Sequence, residues 1–180
     1  MTAEKSSLKG MAYASMFGAL TAVGAYIMIP LPLVPITLQT LFVILAGALL
    51  GGYLGALSQV VYILLGVIGL PVFSGGKAGF GVLIGPTGGY LIGFVIGALI
   101  IGKLTSLRRD PGIVWLMGSM VAGMVIVYTL GIIQLMFVAK LSFIKAVSVG
   151  LLPPLPGEII KIVVAALICR KIRARIISKI

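Results

Sequence analysis

Hydrophobic residues along the chain come in long, nearly unbroken runs, and polar residues collect between them. Runs of about 20 apolar residues match what a helix needs to cross a bilayer. A transmembrane β-barrel would alternate apolar and polar positions, and these runs do not. Six segments can be drawn, at approximately 11–29, 38–50, 53–70, 89–102, 113–138 and 157–169. The second and third are separated on length: as one helix of roughly 33 residues they would reach about 50 Å, against a hydrocarbon core of about 30 Å. Gly51 and Gly52 sit at the midpoint, and glycine tolerates the backbone angles of a tight turn. The expectation is an all-α polytopic membrane protein: one domain over residues 1–180, with six transmembrane helices in one bundle.

Charge orients that bundle. With both termini cytoplasmic, the inside pieces hold Lys5, Lys9, Lys103, Arg108, Arg109, Arg170, Lys171, Arg173, Arg175 and Lys179, which are ten of the fourteen basic residues. The outside loops hold Lys77, Lys140 and Lys145, and Lys161 lies within the sixth segment. This asymmetry follows the positive-inside rule and requires an even number of spans. The same distribution answers the net charge of +11: the basic residues mark segment ends rather than a nucleic-acid surface. The polar start, "MTAEKSSLKG", leads into a full-length apolar segment without an obvious cleavage site, so no removable signal peptide is read. Cys169 is the single cysteine, so no intramolecular disulfide forms. At a membrane edge beside Arg170 and Lys171, it reads as a structural thiol or as a site for acylation.

Only 9% of residues are charged, there is no His and no Asn, and the acids are Glu4, Asp110 and Glu158. No metal site of converging Cys, His and carboxylate ligands can be assembled, and no second acid is available for a paired-carboxylate enzyme. No cofactor is expected. "GALIIGKL", Gly97 to Leu104, matches the P-loop pattern except at its last position, where Leu104 replaces the Mg²⁺-binding hydroxyl. It also closes a membrane segment rather than opening a helix after a strand. ATP hydrolysis is therefore not expected of this chain.

Two features remain. In "AYASMFGALTAVGA", Ala14 and Gly18, and likewise Ser15 and Ala19, stand four apart. This spacing lets helix backbones approach closely in lipid, either within the bundle or against another membrane protein. In "LPGEIIK", Glu158 and Lys161 lie three apart on one helix face. They are either a self-neutralising structural pair or the polar end of a ligand cavity, and intramembrane ionisable residues are candidates for function by default. A solute with a carboxylate and an N–H-rich ring would complement them, and the proline-rich loop 30–36 and glycine-rich loop 74–89 would form its mouth.

The segments "PLVPITLQTLFVILAGALLGGYLGALS", "GLPVFSGG", "GPTGGYLIGF" and "LPGEIIK" occur in the order and spacing of the BioY family, which the chain resembles from about residue 12 to residue 170. The resemblance implies the biotin-binding S component of an energy-coupling factor (ECF) transporter, with biotin held near the outer face beneath the loops joining helices 1–2 and 3–4. It implies as partners a transmembrane coupling protein and two ABC-type ATPases, which would supply the hydrolysis. Small residues on the first helix of such proteins contact the coupling protein, which points to Ala14 and Gly18. The family's Pro-Gly-Asp-x-x-Lys appears here with Glu158 in place of Asp. Carried over, Glu158 meets the ureido N–H groups, and Lys161 meets the polar ligand network or the carboxylate. Family members use an Asn in the binding region; Gln39 is the substitute in kind. Tyr90 and Phe73 are candidates to pack on the bicyclic ring, and Lys77 to meet the valerate carboxylate. The alternatives are an S component for another vitamin, a proton-coupled secondary carrier, and a scaffold in which the pair is only structural.

Overall fold

Gly51 has φ +85°, a left-handed conformation that strains any residue with a Cβ, and the chain turns there between α2 (Gln39–Leu50) and α3 (Gly52–Val67). The expected turn is thus in place. In the computed structural model, which describes residues 2–177 with side chains from 8 to 172, the chain is mostly helical. Glu4, Lys5, Arg173, Arg175 and Lys179 of the sequence reading lie outside the residues with described side chains.

Before the turn come α1 (Thr2–Tyr26) and a small antiparallel ribbon of β1 (Met28–Ile29) and β2 (Ile36–Thr37), in which Met28 pairs with Thr37 and Ile29 with Ile36. The first apolar segment therefore ends as helix at Tyr26, not at Ile29. After α3, the glycine-rich loop carries a 3₁₀ turn at Ser74–Gly76 and the single-turn α4 (Gly81–Ile84). Then follow α5 (Gly88–Ser106), α6 (Ile113–Ala139), α7 (Phe143–Gly150) and α8 (Leu155–Ile177). Helix α7 was not anticipated. Ser142 caps it by accepting from the Lys145 backbone N–H, and a 53° bend separates it from α8 where Pro153 and Pro154 interrupt regular bonding.

Length sorts these helices. Among the described residues, α5 and α6 are each long and apolar enough to cross a membrane, and α7 with α8 makes a third crossing if the bent pair is one span. Helices α2 and α3 have 12 and 16 residues, about 18 and 24 Å, and fall short of the hydrocarbon thickness. The reason α2 can be short is its place. Ten of its twelve residues are buried, and α1, α3, α5, α6 and α8 all pack around it. After Gln39 and Thr40 in its first turn the helix is wholly apolar, as such a central position demands.

Small residues let the backbones close in. A Cβ on Gly47 would sit 2.6 Å from the Ala98 carbonyl oxygen, and one on Gly123 would sit 2.8 Å from that of Gly97. Lipid offers no hydrophobic drive between helices, so such backbone contact carries the packing. Residues 97–104 are helical within α5, which removes any loop that could cradle a phosphate. Cys169 is fully buried, so it faces protein rather than an acylating enzyme.

Candidate functional site

Helices α2, α5 and α8 all begin at the ribbon end of the bundle, and their first turns enclose a cleft. Its walls include Val34, Pro35, Phe73, Val82, Leu91, Phe94, Tyr128 and Pro154, with Thr37, Gln39, Thr40, Thr87, Tyr90 and Glu158 as the polar lining. The cavity is narrow, about 50 Å³. That holds a few waters and is well below the 300–1,000 Å³ or so of an ordinary small-molecule site.

Glu158 enters from the first turn of α8 and Lys161 from one turn further on. Both are buried, at 3% and 8% exposure, so each needs compensation within the protein. Lys161 Nζ donates to Glu158 Oε1 at 2.7 Å, to Thr40 Oγ1 at 2.8 Å and to the Thr37 carbonyl oxygen at 2.6 Å. Those three bonds use all three ammonium donors. The Thr40 hydroxyl in turn donates to Glu158 Oε1 at 2.8 Å. Thus Oε1 is held twice, whereas buried Oε2 has no hydrogen-bond partner among the described residues. The Tyr128 hydroxyl lies close enough to interact with the carboxylate, although Oε2 lacks a partner at hydrogen-bond distance and angle.

The remaining candidates separate into those at the cleft and those away from it. Gln39 lines it: its amide donates to the Tyr62 hydroxyl at 2.5 Å and accepts from Thr37 Oγ1 at 3.0 Å. Phe73 is buried in the wall, its ring edge-on to Tyr62 at 5.6 Å and lying where a Cβ on Gly66 would be. Tyr90 lines the far wall, T-shaped to Tyr128 at 5.8 Å, with its hydroxyl donating to the Gly150 carbonyl. Lys161 is not in the lining; it stands behind Glu158. Lys77 is outside as well, exposed in a neighbouring groove that shares Val82 and Thr87 with the cleft. Ala14 and Gly18 are buried inside the bundle, and a Cβ on Gly18 would meet the Ser58 carbonyl of α3 at 2.9 Å. That pair packs internally, and of the two pairs the exposed one is Ser15 and Ala19.

Sequence reasoning missed Thr37, Thr40 and Tyr128. The signal available was local: Thr37, Gln39 and Thr40 crowd three polar side chains just before and into the first turn of an otherwise apolar helix. The two loops over the cleft are tied rather than loose. The Tyr26 hydroxyl donates to the Pro71 carbonyl, and Gln134 of α6 donates to the carbonyls of Leu83 and Gly85 at 2.7 and 2.8 Å. Gly88 is needed because a Cβ there would lie 1.8 Å from the Leu83 carbonyl oxygen.

The BioY family model matches residues 1–178. A "Biotin transporter BioY" of Thermotoga maritima is 47% identical over 160 residues, covering 89% of this chain and 93% of its own. A "Probable biotin transporter BioY" of Pyrococcus horikoshii is 40% identical over 166 residues, covering 92% and 96%. Among solved structures, the S component for biotin from an ECF-type ABC transporter superposes with a TM-score of 0.85 at 27% identity, covering 93% of this chain and 92% of that one. A membrane-type helical bundle, the "LPGEIIK" charge pair at its ribbon end and these relationships over nearly the full length agree, and the chain belongs to the BioY family.

Proposed function

We propose that this chain captures biotin for an ECF-type importer, holding it in the cleft at the ribbon end of the bundle. The observation that carries the reading is the divided Glu158 carboxylate: Oε1 is held by Lys161 and Thr40, and Oε2 is buried without a partner. A buried acceptor in that state costs about 1–3 kcal/mol, which a ureido N–H would relieve. The apolar walls suit a mostly apolar bicycle, since small-molecule sites pair such walls with a few placed polar groups.

In this reading Glu158 receives the ureido ring, Lys161 positions Glu158 rather than touching ligand, and Gln39 and Tyr128 flank the ring. Phe73 and Tyr90 pack on its faces. The valerate then leads past Val82 and Thr87 toward Lys77, whose groove shares those two residues with the cleft. A ligand of this size enters a cavity of about 50 Å³ only if the lining moves. The ribbon loop and the loop of α4 are the covers that would open.

The proposal extends to topology and partners. Six crossings are obtained with α1, α2, α3, α5, α6 and a bent α7–α8, both termini cytoplasmic in the cell membrane, and the positive-inside asymmetry supports this orientation. A transmembrane coupling protein and two ABC-type ATPases would complete the importer and hydrolyse ATP. Binding of labelled biotin to the purified protein in detergent tests the central claim: saturation at submicromolar biotin is expected, and its absence would overturn it.

A further inference from the structure

A second groove, of about 480 Å³, opens at the opposite end of the bundle, between the end of α5 and the start of α6. Leu104, Ile113, Val114 and Trp115 line it with apolar surface. Gly118 forms an open side, since a Cβ there would meet nothing within 4 Å. At its rim the Arg108 guanidinium lies over the Trp115 ring, 4.1 Å from the centroid. The indole N–H is already committed to the Leu104 carbonyl at 2.9 Å, so the ring is fixed as a platform.

The charge around this groove is predominantly positive, three basic residues against one acid. Lys103, Arg108 and Arg109 are exposed, and among the described residues none of them makes an ion pair. The neighbouring acid, Asp110, makes none either. Stacking on Trp115 uses the flat face of Arg108 and leaves its N–H edges outward, the geometry that grips a phosphate. The first turn of α6 adds backbone N–H groups without intrahelical partners at the same end. An apolar channel continuous with a cationic rim, at the level where Trp marks a membrane interface, fits one occupant whose own chemistry is divided in that way.

We infer that this groove binds an anionic phospholipid, with the headgroup phosphate on Arg108 and Arg109 and part of an acyl chain along Trp115 and Gly118. Soluble phosphate would satisfy the rim and leave the apolar floor unused. The site is separate from the biotin cleft, so neither claim depends on the other.

Trp115 is the only tryptophan in the chain, so its fluorescence reports on this groove alone. The protein is reconstituted into phosphatidylcholine vesicles containing a fixed minor fraction of lipid brominated on its acyl chains, either phosphatidylglycerol or phosphatidylcholine. Bromine quenches only at close range. The brominated phosphatidylglycerol should quench Trp115 with a severalfold preference, about fivefold for each basic residue engaged. Arg108→Gln should bring the ratio of the two lipids toward one, and Gly118→Leu should reduce quenching by both. Equal quenching by the two lipids in the unaltered protein overturns the inference, as does an unchanged preference in Arg108→Gln. A preference abolished by added inorganic phosphate at constant ionic strength assigns the rim to a small anion and also overturns it. Should Arg108→Gln fail to fold, salt decides in the unaltered protein: the preference must fall as ionic strength rises, and a salt-independent ratio refutes it.

Discussion

The two ends of the bundle manage positive charge in opposite ways. At the ribbon end Lys161 is buried, with all three donors used inside the protein. At the α5–α6 end Arg108 is exposed, and among the described residues its partner is an aromatic face. The first arrangement is a neutral, preorganised unit whose one unfilled demand is for a donor at Glu158 Oε2. The second is a demand for an anion. A charged side chain indicates what binds only after its internal partners have been counted.

The sharpest way to break this comparison is to remove Lys161. Lys161→Ala leaves the Glu158 carboxylate buried without its cation, and we expect a loss of about 3–5 kcal/mol, read as a lower unfolding midpoint in detergent. Replacing both partners, Glu158→Leu with Lys161→Met, should restore most of that stability, because an apolar pair of similar volume often matches a buried ion pair. If the double variant also binds biotin normally, the pair is structural and the cleft assignment fails. Glu158→Gln keeps the shape but removes the charge-assisted acceptor, and we expect affinity for biotin to fall by about 1.5–3 kcal/mol in a titration. Gly88→Ala forces a Cβ onto the Leu83 carbonyl and should cost about 1–3 kcal/mol, measured by thermal unfolding. The smallest effects belong to the rims. Tyr26→Phe removes the tie to Pro71 and should speed biotin release about fivefold in stopped flow. Arg108→Gln should leave biotin affinity unchanged and lower stability by about 0.5–1 kcal/mol.

What could be read in advance followed from physical necessity. The turn at Gly51 was legible because no helix of that length fits a bilayer, and Glu158 because a carboxylate in an apolar run needs a reason. The opposite directions of Ala14 and Ser15 were not legible: lipid and protein interior are both apolar, so hydrophobicity does not distinguish the two faces of α1. The role of Lys161 was legible only by half. A spacing of three put it beside Glu158, but its other two acceptors, Thr37 and Thr40, come from more than 120 residues earlier in the chain. Helix α7 was hidden by the prolines after it, which made the whole stretch read as loop.

The shortness of α2 has a consequence for biogenesis. Its 12 residues are too few to settle alone across a membrane as the chain leaves the ribosome. On the six-span reading it enters as a hairpin with α3, its ends shielded only when later helices arrive. Thr40, in its first turn, finds its partners on α8, the last of the described helices in chain order. The centre of the bundle therefore waits on a helix more than 100 residues later, and a truncation that removes α8 should leave the middle of the bundle, rather than its edge, exposed to quality-control proteolysis.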